Sequence, residues 1–308
     1  MRRVTDPLAQ MGAQFGPVSP NTLPFTIRGG RLRELSWELP VSSAQIKGCL
    51  LFAGLAGRVG VELREPGGRS RDHTERLLRS FGYQVEEDNA GWVRFSPTGR
   101  LAPFDLDVPG DPSSAAFLVG AALLAESGSL RIEGVGLNPT RIGFVRVLER
   151  MGARVRLISE GERTGEPVGA IEVEPGALRG TTVEAGEIPG LIDEIPMLAV
   201  LASRAEGITR FHEVGELRVK ESDRLGLIAA NLRSIGAKAQ VEGDTLLVEG
   251  HEAPPTGKVC TEGDHRIAMA FAVLRAVRGA KVRVDDLACA AVSFPGFQQT
   301  LKSVLRHG

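Results

Sequence analysis

The sequence predicts an α/β fold built from repeated helix and strand units, over a length of 308 residues that suits about two domains. Three observations predict it. One helix ending recurs four times, as Leu8-Ala9-Gln10-Met11-Gly12-Ala13, Leu78-Arg79-Ser80-Phe81-Gly82-Tyr83, Leu148-Glu149-Arg150-Met151-Gly152-Ala153 and Leu232-Arg233-Ser234-Ile235-Gly236-Ala237. A second, more apolar helix recurs between these endings, and each such helix leads into a β-branched strand. The glycines fall at positions 12, 82, 152 and 236, at spacings of 70, 70 and 84. A long, nearly fixed period marks a repeated supersecondary unit.

Each glycine ending closes an amphipathic helix, because glycine takes the left-handed cap conformation without a steric cost. Alternating residues such as Arg154-Val155-Arg156-Leu157 then read as a strand. The apolar helices start near Ser42, Ser113, Asp193 and Asp264, with bodies at 46–55, 115–125, 197–202 and 267–277. Helices apolar on nearly every side are buried. The strands after them are 60–63, 129–132, 208–211 and 281–284. Helix–strand alternation implies α/β layers with some parallel pairing. The composition breaks at 106–112, where Pro109, Gly110 and Pro112 interrupt a strand before a helix cap at Ser113. That break is either a loop or a domain crossing.

Composition excludes several functions. The formal net charge is −1 with 24% charged residues, so no global field attracts nucleic acid or an anionic membrane. Aromatics make up 5%, too few for stacking platforms for bases. Cys49, Cys260 and Cys289 lack metal-ligand spacing and are too few for a disulfide framework, which points to a reducing, cytoplasmic setting. The start, Met1-Arg2-Arg3-Val4, has no apolar core after its basic pair, and the longest clean apolar run, 117–125, is too short to span a bilayer.

The densest chemistry lies in Val219-Lys220-Glu221-Ser222-Asp223-Arg224, ahead of an apolar stripe at Leu225, Ile228, Leu232 and Ile235. Ser222 or Asp223 can cap that helix. Arg224 is unexplained, since a cation in the first turn opposes the helix dipole. Arg266 repeats the oddity after Gly263-Asp264-His265, and Arg141 follows Asn138-Pro139-Thr140 similarly. Surface pairs, Arg224 with Glu221 or Arg266 with Asp264, would be worth at most about 1 kcal/mol. Two such arginines beside aspartates instead suggest a carboxylate or phosphate held by guanidinium forks, with Glu221 and Asp193 as acid and base. Other polar helix starts read Ser42-Ser43-Ala44-Gln45, Ser70-Arg71-Asp72-His73 and Asp111-Pro112-Ser113-Ser114, and such ends are ready anion sites. His265 is either a capped core histidine or part of the site. The histidines show no paired spacing, so no metal site is expected. Gly134-Val135-Gly136 lacks the context of a dinucleotide loop.

Together these residues resemble the 5-enolpyruvylshikimate-3-phosphate synthase family. The resemblance is carried by Ser42-Ser43-Ala44-Gln45, by Gly110-Asp111-Pro112-Ser113-Ser114-Ala115 and by Leu191-Ile192-Asp193-Glu194-Ile195-Pro196. It continues through Leu217-Arg218-Val219-Lys220-Glu221-Ser222-Asp223-Arg224 and Gly263-Asp264-His265-Arg266-Ile267-Ala268-Met269. It implies two domains made of βαβαββ units that close on substrates between them, here 1–109 as an incomplete first domain and 110–308 as the second. It implies a transferase that needs no cofactor or metal and joins the enolpyruvyl group of phosphoenolpyruvate to the 5-hydroxyl of shikimate 3-phosphate, in the shikimate route to chorismate and the aromatic amino acids. By position, Asp193 would face the attacking hydroxyl and Glu221 would serve C3. Ser43 and Gln45, helped by Ser70, would hold the shikimate phosphate. Lys220 would bind the shikimate moiety, and Arg224 and Arg266 would grip phosphoenolpyruvate. The Ser-Ala-Gln form resembles the subclass that tends to tolerate glyphosate, a ligand of the phosphoenolpyruvate site.

Departures accompany the match. Glu216 stands where many members have Asn, and Val292 where a lysine is common. The family's amino-terminal portion, with its Lys-Ser pair and a further arginine, finds no counterpart ahead of Met1. The expectation is therefore a chain that needs that segment in trans, or that self-associates. The alternative is a catalytically inactive binding or structural fragment. A related transferase acting on UDP-N-acetylglucosamine is a third reading, disfavoured by the Lys-Glu-Ser-Asp-Arg run. RNA-phosphate cyclases share the repeat, but near-neutral charge argues against them. Arg224→Ala is expected at this level to weaken phosphoenolpyruvate binding far more than it lowers thermal stability.

Overall fold

The four glycine endings organise the chain in its structure, a computed structural model that describes residues 1–16 and 23–306. Two units separate. One is Met1–Val108 with the short stretch Glu162–Glu166, and the other is Pro109–Gly161 with Pro167–Gly308. The first carries, in order, α1 (Arg2–Met11), β1 (Gln14–Phe15), β2 (Ile27–Arg28), β3 (Leu35–Glu38), α2 (Ala44–Gly57), β4 (Val61–Arg64), α3 (His73–Ser80), β5 (Val85–Glu87) and β6 (Trp92–Phe95). The second begins with α4 (Pro112–Leu123), β7 (Leu130–Gly136), α5 (Gly143–Arg150), β8 (Arg154–Arg163), β9 (Glu166–Glu174), β10 (Thr182–Val183) and α6 (Ile195–Ala202). It continues with β11 (Ile208–Phe211), α7 (Arg224–Ser234), β12 (Lys238–Glu242), β13 (Thr245–Glu249), β14 (Thr256–Val259), α8 (His265–Ala272), β15 (Lys281–Val284) and α9 (Phe297–Arg306).

The predicted caps form in all four places. Gly12, Gly82, Gly152 and Gly236 have φ of 110°, 82°, 81° and 93°. In each ending the glycine amide donates to the carbonyl three residues back, and the next amide reaches the leucine that opens the motif, as Ala13 N to Leu8 O and Ala237 N to Leu232 O, both 3.0 Å. These are two bonds that satisfy otherwise orphaned helix carbonyls. Each ending then feeds a strand whose direction is set by the same cap.

Sheet order repeats as well. The first unit has β3-β4-β6-β5 and the second β10-β11-β13-β12. In both, a parallel pair (β3 with β4, β10 with β11) is followed by antiparallel pairings. The second unit adds β7-β9-β8, entered by a parallel bridge from Gly110 to Val135, and the parallel pair β14 with β15. The parallel pairs leave a helix crossing over the sheet, which buries α6 and α8 along most of their length and one face of α2. One core holds Met11, Leu50, Leu51, Leu63 and Phe95; the other holds Phe117, Phe144, Ile195, Leu225 and Phe271. Among the described residues no helix is long and apolar enough to cross a membrane.

Several helix starts differ from the sequence expectation. Asp111, not Ser113, caps α4: its carboxylate accepts from Ser113 N at 3.2 Å and Ser114 N at 3.1 Å, and Pro112 occupies the first turn, where its missing N–H costs nothing. Asp193 lies in a 3₁₀ turn, Ile192–Glu194, ahead of α6. Of the two candidates before α7, Asp223 caps, accepting from Gly226 N at 3.0 Å. The apolar run after Asp264 leaves α-helix at Ala272 and tightens into a 3₁₀ turn over Val273–Ala276.

Candidate active site

The puzzle of Arg224 resolves through a residue forty positions away. Asp264 caps α8, its Oδ1 accepting from Arg266 N at 2.9 Å and Ile267 N at 3.3 Å. Its Oδ2 faces α7, where it accepts from Arg224 Nε at 2.9 Å and Ser222 Oγ at 3.0 Å. Arg224 and Asp264 are both 0% exposed. A cation in the first turn of α7 is thus offset by a buried carboxylate rather than by the helix itself. Ser222, free of the capping task, is a donor in this network.

Four of the predicted residues gather here. Arg224 Nη2 donates to Glu221 Oε2 at 2.5 Å, and its Nη1 lies 3.9 Å from Asp193 Oδ1. Arg266 Nη2 is 3.5 Å from Asp193 Oδ2, and its Nη1 donates to the Asp193 carbonyl at 3.3 Å. Asp193 therefore sits between two guanidinium groups. Arg224 Nη1 is buried without a hydrogen-bond partner, which leaves donor capacity for an incoming anion. Lys220 turns away from this set: its ammonium meets Glu216 Oε1 at 2.7 Å, so the Glu found where Asn was expected neutralises it.

Charge and burial set the protonation of this cluster. Burial alone would raise the Asp264 carboxyl, but the Arg224 hydrogen bond and charge outweigh it and hold the group below the usual range. Burial pushes the Glu194 carboxyl up, with the Ser113 hydroxyl that bonds to it opposing and the Asp193 charge adding. Ser113 also accepts from Arg141 Nη2 at 2.9 Å, and the same nitrogen reaches Asp111 Oδ1 at 2.6 Å. His265 is buried beside Arg266, and both effects, burial first, lower its pKa.

These shifts predict an acid limb. A folded carboxyl held below its unfolded value adds stability that is complete above the unfolded pKa, about 3.9, and is lost as pH falls through the folded one. Asp264 and Asp111 both have this sign. The melting temperature is expected to hold from neutral pH to about 5 and to fall below about 4. Melts across pH check it: Asp264→Asn should flatten the acid limb, and an identical limb in that variant would remove Asp264 as its cause.

The first unit holds the other predicted group. Ser43 caps α2, its Oγ accepting from Ile46 N at 3.5 Å, while its own amide donates to Glu65 Oε1 at 2.9 Å. Gln45 is exposed in the first turn. The Ser70 hydroxyl is buried and without a hydrogen-bond partner, as is Glu75 Oε2. Both residues line a cavity of about 60 Å³ together with Lys47 and Glu65. The Ser70 amide donates to Glu65 Oε2 at 3.0 Å.

Sequence reasoning missed Lys47, Glu65 and Glu75. Lys47 bonds Glu65 at 3.0 Å and Glu75 at 2.7 Å, with side chains 2%, 5% and 1% exposed. The available signal was Lys47 itself, the only charge in the helix Ala44–Gly57, since a lone cation in an apolar helix needs a buried partner.

The comparisons agree on one family. The model of EPSP synthase (3-phosphoshikimate 1-carboxyvinyltransferase) matches residues 1–301. A 3-phosphoshikimate 1-carboxyvinyltransferase of Desulforamulus reducens is 43% identical over 99% of this chain and 71% of its own length. The EPSP synthase structure from Acinetobacter baumannii superposes with a TM-score of 0.88 at 35% identity, covering 99% of this chain and 70% of that one. The enolpyruvyl transferase NikO from Streptomyces tendae, at 20% identity and a TM-score of 0.75, shares the fold.

Proposed function

The chain belongs to the EPSP synthase family, and from that premise we propose that it transfers the enolpyruvyl group of phosphoenolpyruvate to the 5-hydroxyl of shikimate 3-phosphate, releasing phosphate. The observation that carries this reading is the placement of Arg224 and Arg266 on either side of the Asp193 carboxylate, with Arg224 Nη1 still lacking a hydrogen-bond partner. Two guanidinium forks can take the carboxylate and phosphate of phosphoenolpyruvate.

The steps then balance. The 5-hydroxyl oxygen bonds to C2 of phosphoenolpyruvate as its proton passes to Asp193, and C3 takes a proton from Glu221. The tetrahedral adduct breaks its C2–O bond to phosphate, which takes the proton from Asp193 as it leaves, and Glu221 takes a C3 proton back to restore the double bond. Ser43 and Gln45, at the start of α2, hold the shikimate phosphate, and Lys220 exchanges Glu216 for the shikimate hydroxyls. Glyphosate, carrying a carboxylate and a phosphonate, competes for the arginines.

The test is calorimetry with both substrates, followed by phosphate release in their presence. Saturable shikimate 3-phosphate binding and phosphate release that depends on both substrates are expected. Tight UDP-N-acetylglucosamine binding, or substrate complexes with no turnover, would overturn the proposal.

A further inference from the structure

Two stretches of the first unit, the start of α2 at 42–45 and the loop 66–72, are separated in sequence and have no sheet bond to hold them. Glu65, directly after β4, joins them. Its Oε1 accepts from Ser43 N at 2.9 Å, and its Oε2 accepts from Ser70 N at 3.0 Å and from Lys47 Nζ at 3.0 Å. Lys47 lies one turn along α2 from Ser43 and also reaches Glu75 Oε1 at 2.7 Å, in the first turn of α3. Ser42 adds a second stitch, its Oγ donating to Gly68 O at 2.9 Å and accepting from Gly67 N at 3.1 Å.

Such a triad is a poor device for stability. Removing three charges from water costs about as much as their attraction returns, and apolar side chains of similar size serve a core as well or better. What the triad supplies is direction: a carboxylate with both oxygens engaged holds two backbone amides, and hence two loops, in one arrangement. Fixing ligand-contacting residues through a neighbouring hydrogen-bonded carboxylate is a general way to hold a site to the tolerance that binding needs.

We propose that Glu65 is a positioning residue for phosphate recognition: it locks the Ser43 helix start to the Ser70–Arg71 loop so that Ser43 and Gln45 meet the phosphate of shikimate 3-phosphate in a fixed geometry. This rests on the reading that Ser43 and Gln45 hold that phosphate. Ser70, whose hydroxyl faces inward, belongs to this strut through its backbone.

Glu65→Gln is the discriminating variant. It leaves Lys47 paired one-to-one with Glu75, so the buried charge stays balanced and the fold is retained. The amide nitrogen, however, presents a donor where the carboxylate presents an acceptor, so one serine amide loses its anchor. Affinity for shikimate 3-phosphate, by calorimetry on the full chain, should fall about tenfold or more. Affinity for unphosphorylated shikimate and the melting temperature should not change. Glu65→Asp, which keeps the charge and withdraws the carboxylate by one methylene, should show the same phosphate-selective loss and serves if the glutamine variant does not fold. Equal losses for both ligands, or none, overturn the proposal. Ser43→Ala runs in parallel: if it weakens shikimate 3-phosphate while the Glu65 variants do not, only the role of Glu65 fails. If Ser43→Ala itself changes nothing, the phosphate reading fails and takes the proposal with it.

Discussion

Arg224→Ala is expected to destabilise the protein by about 3–5 kcal/mol, because it leaves a buried carboxylate without its partner. Asp264 is fully buried and bonded to Arg224 Nε at 2.9 Å and, at 3.3 Å, to Nη2. Removing the guanidinium also opens a void where one of the largest fully buried side chains stood. This reverses the expectation drawn from sequence, in which Arg224 was chiefly a ligand contact whose loss would spare stability. Urea and thermal melts decide it. Arg224→Met with Asp264→Asn should recover much of the loss, since the double variant removes both charges while Asn still caps α8. A single variant that melts with the wild type would show that the pair does not support the fold.

The burial of Arg224 against Asp264 is not written in the residues around either of them. The glycine endings are local: cap, amide bonds and strand entry lie within about six residues, so pattern alone placed Gly12, Gly82, Gly152 and Gly236 in their caps. The apolar helices were legible too, because their burial is written in their own residues. The partner of Arg224 was not local. The pair spans forty residues, and nothing near Arg224 marks Asp264 as reaching it. Nor does anything near Glu65 announce that it serves Ser43 and Ser70. The resemblance named Asp193, Glu221, Arg224 and Arg266, which lie together; which of them pair with buried partners was not readable, since that depends on which way each side chain points.

That pairing changes how the cluster acts. In a site where every arginine faces an empty cleft, anion binding would add charge neutralisation outright. Here Arg224 and Arg266 already meet Glu221 and Asp193, at 2.5 Å and 3.5 Å. An anion must compete with those carboxylates, which weakens binding somewhat. On the proposed reading, the anion and the two carboxylates exchange partners on the guanidinium groups of Arg224 and Arg266.

Asp193→Asn carries the second large expectation: turnover, measured as phosphate release under the conditions that support it, should fall by about 10²–10⁴-fold, with the melting temperature nearly unchanged. Stability is spared because Asp264, not Asp193, neutralises Arg224, and an amide oxygen can still accept from Arg266. Binding of both substrates should shift only slightly, so the loss should appear in kcat and not in KM. The neighbouring carboxyl does not rescue the variant. Glu194 is buried, and its Oε1 is taken by the Ser113 hydroxyl. Burial also keeps its proton on to higher pH, so it stands beside the arginine pair without serving it. Full turnover in Asp193→Asn would remove Asp193 from the proton path and leave Glu221, which meets Arg224 Nη2 and is half exposed, to carry both transfers.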